Sequence, residues 1–152
     1  MRIVLQRVKR ASVTVDGEIT GKIGQGFLAL VGFCETDDDS LLDPMADKMV
    51  GLRVFEDSDE KMNLALSDVD GELLAVSQFT LYADCRKGRR PSFNLAKKPD
   101  EANRLYEKFV EICEQKMGKK VQTGIFGADM AVELLNDGPV TIILDSDEIV
   151  KK

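Results

Sequence analysis

Not one histidine occurs among the 152 residues. That absence excludes together the Ser-His-Asp triad, the Cys-His dyad and any zinc site ligated by imidazole. An enzyme made from this chain must work with carboxylates, hydroxyls, lysine, backbone amides or groups that its substrate brings. Cysteine is scarce as well. Cys34, Cys85 and Cys113 lie far apart and form no C-x-x-C pair, the pattern of reduced thiols in a cytosolic protein. No run of about 18 apolar residues and no basic–apolar–small leader is present. A cytoplasmic chain that neither spans a membrane nor is secreted is therefore expected. The acidic pairs Asp57/Asp59 and Asp145/Asp147 lack the spacing and terminal Glu of an EF-hand. They read as solvated turns, and neither a metal nor a cofactor is expected.

What is present fits a globular protein: 43% hydrophobic and 32% charged residues. No internal repeat or low-complexity linker divides the chain, so a single domain over 1–152 is expected, burying roughly 70% of its unfolded surface. A net charge of −6 argues against a nucleic-acid binder, but the distribution is polarised. Arg86, Lys87, Arg89 and Arg90 are followed by Lys97 and Lys98, and Lys116, Lys119 and Lys120 form a second group. Acidic residues gather instead in ETDDDSLLD (35–43) and FEDSDE (55–60). A solvated face and a phosphate-binding face both account for the basic clusters.

Hydrophobic periodicity then sets the elements. MRIVLQRVKR alternates as a first strand, and SVTVDGEIT places Asp16-Gly17 between two alternating segments, a hairpin signal. GFLALVGF (26–33) is a continuous apolar run suited to a central strand. A helix is expected at about 38–50, with Thr36 or Asp37 as N-cap. LRVFED and KMNLALSD read as short strands joined by the acidic turn Asp57–Glu60. GELLAVSQFTLYAD (71–84) reads as one long strand, and RKGRRPSFNLAKKPD as a loop without periodicity. From Pro99 to Gly118 runs the clearest helix, with an apolar stripe through Ala102, Leu105, Phe109, Ile112, Cys113 and Met117. Strands at about 120–125, 129–135 and 139–145 complete the chain. The sum is an α+β domain: a mostly antiparallel, barrel-like β core with two main helices.

Several short stretches stand apart from this scaffold. SQFT (77–80) sets two hydroxyls and an amide within an apolar strand. They are either satisfied polar groups near a strand end or the lining of a pocket. Alternation keeps Ser77 and Thr80 from sharing one pocket unless a bulge intervenes or backbone groups contribute. Thr80 as a nucleophile lacks a base to activate it. KGRRPSF offers guanidinium groups to phosphate, with Phe93 either stacking a base or anchoring the loop. TGIFGADM (123–130) places two glycines around Phe126, either a close backbone approach or a plain connection. In NDGPV, Pro139 follows a glycine and opens the last strand without an amide proton.

Taken together, ASVTVDGEI, GLRVFED, KMNLALSDV, SQFTLYAD, KGRRPSF, TGIFGADM and NDGPVTIILDS resemble the D-aminoacyl-tRNA deacylases over essentially the whole chain. The resemblance implies a cytosolic homodimeric hydrolase that frees tRNA from D-amino acids, and from glycine mischarged notably onto alanine tRNA. It implies that Ser77, Gln78, Phe79 and Thr80 line the site. It also implies that Gly138 and Pro139, joined by a cis bond, reach across the dimer as a selectivity filter. By the same resemblance, Phe126 and Met130 shape an adenosine pocket and Arg7 braces the Gly-Pro loop. Lys87, Arg89 and Arg90 are the expected contacts to tRNA phosphate, and the 3′ end of aminoacyl-tRNA is the expected partner. The alternative is a tRNA- or DNA-binding module without turnover.

Overall fold

The computed structural model describes residues 1–150; Lys151 and Lys152, which close the domain expected over 1–152, lie outside the described residues. Strand β1 (Arg2–Val15) organises the sheet. Its first half pairs antiparallel with β3 (Gly26–Gly32) and its second half with β2 (Glu18–Ile23). The β1–β2 turn is the expected Asp16-Gly17 pair, both in the left-handed region at φ 50° and 80°, which matches the twist of the flanking strands. Along its other edge β1 pairs antiparallel with β8 (Ala131–Asp145).

Two pairings are parallel: β3 with β6 (Glu72–Ser77), and β6 with β7 (Gln122–Thr123). A parallel neighbour needs a long crossover. The one between β3 and β6 carries helix α1 (Leu42–Gly51) and the hairpin β4 (Phe55–Glu56) and β5 (Met62–Leu64). Helix α2 (Pro99–Met117) and β7 follow β6, and α3 (Ser146–Ile149) ends the described chain. The sheet curls until β7 comes back to β2, where the Thr20 hydroxyl lies 3.3 Å from the Thr123 carbonyl. Gly21 permits that approach, since a Cβ there would come 2.5 Å from the same oxygen. The result is the barrel-like α+β core with two main helices.

Burial follows from these pairings. The larger apolar cluster lies between the sheet and the helices, where Ile3, Leu5, Phe27 and Leu73 meet Met45, Met49, Leu105 and Phe109. The smaller one, with Val8, Val13, Leu28 and Leu74, fills the other face of the curled sheet. Tyr106 ties α2 to the sheet by donating its hydroxyl to the Ala75 carbonyl at 2.6 Å. Burial raises the Tyr106 pKa, keeping the phenol a donor. Pro99 opens α2 and Gly118 closes it in the left-handed conformation at φ 68°, as the two residue types favour.

Three expectations are corrected. The strand expected over 71–84 ends at Ser77, and Phe79–Tyr82 is a 3-10 turn. Its partner β3 stops at Gly32, the last β3–β6 pair being Val31–Ser77, so nothing remains to hold an extended chain. The helix expected at 38–50 begins as a 3-10 turn over Asp39–Leu41, capped by Asp38 rather than Thr36 or Asp37. The Asp37 carboxylate is engaged elsewhere, 2.6 Å from the Met1 ammonium and 2.7 Å from the Cys34 amide. The strands expected at 129–135 and 139–145 are one element, because β1 is long enough to pair with both. The ladder slips in register around Val8, opposite the segment that contains Gly138 and Pro139.

Candidate active site

The end of β6 builds the site. At Ser77 the chain leaves the sheet, and the Gln78 amide donates to the Val31 carbonyl at 2.8 Å, fastening the turn to the last residues of β3. Gly32 lets the turn sit close: a Cβ there would lie 2.8 Å from the Gln78 carbonyl oxygen and 3.0 Å from Leu81 Cβ. The Phe79 and Thr80 amides open the 3-10 turn, where an N–H finds no partner within the turn itself. The Phe79 side chain swings outward, 58% exposed. Its ring meets Phe93 edge-on, with centroids 5.0 Å apart and planes at 71°.

A cleft of about 620 Å³ opens beside this turn. Ser77, Gln78 and Phe79 form one wall, and Phe126 and Met130 another, with Phe93, Lys97, Lys98 and Ala102 completing the rim and floor. Gly124 makes room for Met130, because a Cβ at that position would collide with the thioether. Phe126 leans on Tyr106 at a centroid distance of 6.2 Å, so the base of the cleft is fixed by α2. Among the lining residues the only ionisable side chains are Lys97 and Lys98. Lys97 is partly spent on structure, donating to the carbonyls of Glu35 at 3.1 Å and Asp37 at 2.7 Å.

Five expected residues, Ser77, Gln78, Phe79, Phe126 and Met130, thus line a single cleft. Thr80 does not. It lies exposed on the outer side of the turn, its hydroxyl taken up by the Gln78 side-chain amide. Gly138 and Pro139 also lie outside their own chain's cleft, in a separate assembly with Arg7. The bond between them is cis. The 4% exposed Arg7 donates Nε to the Asp137 carbonyl at 2.9 Å and Nη1 to the Val54 carbonyl at 2.7 Å. Glu56 and Asp137 carboxylates lie 3.6 and 3.9 Å from the same guanidinium. Asn136 closes the loop, accepting from the Val140 amide at 2.7 Å and donating to the Val140 carbonyl at 3.1 Å.

Lys87, Arg89 and Arg90 stand exposed on the segment between Asp84 and Ser92, whose ends are joined by paired backbone hydrogen bonds of 2.7 and 2.9 Å. The expected loop therefore has a closed neck. Arg86 is committed to Asp84, both guanidinium contacts being 2.9 Å, and this pairing holds the Asp84 carboxyl at about 2. Sequence reasoning missed the parts played by Lys98 and Ala102 in the cleft. Pro99 marked the helix start beside them, but nothing in one sequence shows that this end of α2 faces the Ser77 turn.

A curled α+β sheet backed by two helices is also the fold of known proteins. A solved structure of a protein called "c-Myc DNA Unwinding Element Binding Protein" superposes with a TM-score of 0.91 at 42% identity, covering 96% of this chain and 99% of that one. Another, described as a probable eukaryotic D-amino acid tRNA deacylase, shares the fold at a TM-score of 0.83 and 17% identity, over 94% and 97% of the two chains. The chain belongs to the D-Tyr-tRNA(Tyr) deacylase family, whose model matches residues 4–145. A D-aminoacyl-tRNA deacylase of Clostridium perfringens is 58% identical over 96% of this chain and 97% of its own length. One of Exiguobacterium sibiricum is 59% identical over 95% and 99%.

Proposed function

We propose that this protein hydrolyses the ester between a D-amino acid, or mischarged glycine, and the 3′-terminal adenosine of tRNA. The observation that carries the reading is the chemistry of the cleft: hydroxyl, amide and aromatic groups, with no carboxylate, thiol or imidazole along its walls. Apart from Lys97 and Lys98, such a site offers no side chain to act as general base on a peptide or an unactivated ester. An aminoacyl ester is already activated and needs little such help. Water adds to the carbonyl carbon, the bond to the ribose 3′-oxygen breaks, and that oxygen takes a proton as free tRNA leaves. Backbone amides around Phe79 are the donors for the developing oxyanion. The neighbouring ribose 2′-hydroxyl orients the attacking water, so the RNA assists its own cleavage.

Chirality follows from backbone. The carbonyls of Gly138 and Pro139 hold the substrate ammonium, which fixes the directions of the Cα substituents. An L side chain then points into rigid main chain, a D side chain points to solvent, and glycine passes. Because Gly138 and Pro139 lie outside their own chain's cleft, the filter serves the cleft of a second copy in a homodimer. Lys87, Arg89 and Arg90 meet tRNA phosphates, and Phe126 and Met130 hold the adenosine. Such proofreading belongs in the cytoplasm, where tRNA is charged. Incubation with D-Tyr-tRNA, L-Tyr-tRNA and Gly-tRNA tests the scheme: hydrolysis of the D and glycyl esters with the L ester spared is expected. Equal rates on D and L would sink the filter.

A second reading is a nucleic-acid-binding module without turnover. It is favoured by the 42% identical neighbour, a DNA unwinding element binding protein by name, and by the exposed basic segment. Tight binding of uncharged tRNA or DNA without ester cleavage would establish it instead.

A further inference from the structure

The Phe79–Tyr82 turn hangs beyond the end of the β3–β6 ladder, yet its amides must hold still to act on a substrate. The residue before it is secured through the Gln78–Val31 hydrogen bond, and the turn rests on Gly32. The far end is held by a side chain. There the Arg2 guanidinium donates Nη1 to the Leu81 carbonyl at 3.0 Å and lies over the Tyr82 ring, 4.6 Å from its centroid. The same guanidinium donates Nε to the Asp145 carboxylate at 3.0 Å, at the last residue of β8. Arg2 is paired in β1 with both neighbours, opposite Gly32 and opposite Asp145.

We infer that Arg2 is a positioning residue for the oxyanion-binding turn, acting through the Leu81 carbonyl and the Tyr82 ring. The last carbonyls of a short helix lack partners of their own, and a cation at that end is favoured by the local dipole. Asp145 does not touch the turn. It aims the fork, whose planar geometry lets one side chain serve two acceptors at once. The inference rests on the deacylase reading and adds to it a residue outside the cleft.

The experiment compares Arg2→Ala with Asp145→Asn in the full chain, using single-turnover and steady-state hydrolysis of D-Tyr-tRNA. A parallel arm follows hydrogen exchange of the turn amides, which needs no activity. In Arg2→Ala, kcat is expected to fall about tenfold with KM changed less than about twofold, because the group binding the oxyanion shifts while the tRNA contacts remain. The Leu81 and Ala83 amides should exchange faster in the same variant. Asp145→Asn, which keeps the Arg2–Leu81 contact, should retain kcat to within about threefold and wild-type exchange in the turn. Unchanged kcat and exchange in Arg2→Ala would overturn the assignment. So would an Asp145→Asn variant that loses as much as Arg2→Ala, since the ion pair alone would then be what matters. A wild-type protein that cleaves nothing would refute the deacylase reading, while the exchange comparison would still decide whether Arg2 seats the turn.

Discussion

Arg7 Nε lies 2.9 Å from the Asp137 carbonyl oxygen, one residue ahead of Gly138. The same buried guanidinium reaches the Val54 carbonyl at 2.7 Å, so one side chain joins the first strand, the β4 hairpin and the Gly-Pro segment. Arg7→Ala leaves two carbonyls without their charged donor and should cost about 3 kcal/mol or more in urea unfolding. Arg7→Lys keeps the charge but not the two-pronged reach. It should remain folded yet hydrolyse L-Tyr-tRNA measurably, as the proposed filter loosens. Strict D-selectivity in a folded Arg7→Lys variant would show that the loop holds its shape unaided.

Gly138 gives a sharper test of the same segment. Its φ is +146°, and a Cβ would fall 2.7 Å from Val140 Cγ2 and 2.9 Å from the Val140 amide nitrogen. Gly138→Ala must therefore move the loop. Activity on D-Tyr-tRNA should fall by about tenfold or more while thermal stability changes by only a few degrees, because the segment is exposed. Wild-type rates on both enantiomers would show that this loop contacts no substrate.

Much of this was legible in the residues, for reasons that can be named. Pro99 and Gly118 bracket α2 because each residue type suits one helix end, and Asp16-Gly17 turns because both residues tolerate positive φ. The end of β6 was not legible. Alternation continues through Phe79 and Leu81, and only the length of β3, a tertiary fact, stops the strand at Ser77. Asp37 looked like a cap because its carboxylate suits one, but the buried Met1 ammonium claims it. In the site, Ser77, Gln78 and Phe79 of SQFT meet Phe126 and Met130 of TGIFGADM in the cleft, while Thr80 stays outside it, and Ala102 looks like any other residue of an apolar helix stripe.

The exposed cations make a salt-dependence prediction. Among the described residues, Lys87, Arg89 and Arg90 form no ion pair, whereas Lys119 is bound to Asp70 at 2.7 Å. Arg89→Gln with Arg90→Gln should weaken tRNA binding and lower the slope of log K against log salt by roughly 1.4 to 1.8, two contacts' worth. An unchanged slope would move the phosphate contacts elsewhere, with Lys120 a better candidate than the already engaged Lys119.

Cys113 sits fully buried in the main core, and that burial pushes its thiol up from 9.0 to about 12. At pH 8 an alkylating reagent should label exposed Cys85 and leave Cys113 untouched until the chain unfolds. The sign for stability follows from linkage. Below about pH 9 the thiol is protonated in both states and contributes no pH dependence. Between 9.0 and about 12 the unfolded chain releases a proton that the native state keeps, so stability falls as pH rises through that window. Cys113→Ala should flatten this alkaline slope, and an unaltered slope would assign it to other groups.

Thr80 decides between two chemistries. Its hydroxyl is the residue's only candidate nucleophile, but it lies outside the cleft and accepts from the Gln78 side chain. No carboxylate or imidazole stands in the cleft to take its proton. Thr80→Ala removes that hydroxyl and leaves the backbone amide of the same residue in place. If backbone amides around Phe79 are what bind the oxyanion, kcat should drop by no more than about tenfold, the worth of one neutral hydrogen bond that orients Gln78. A hydroxyl nucleophile would instead leave no acyl intermediate to form, and the rate would fall to background. Burst kinetics separate the two cases: a covalent route can show a burst of free tRNA before steady turnover, and direct attack by water shows none. A folded Thr80→Ala variant that is wholly inactive would restore the nucleophile scheme, and with it the need for a base, for which the cleft offers only Lys97 and Lys98.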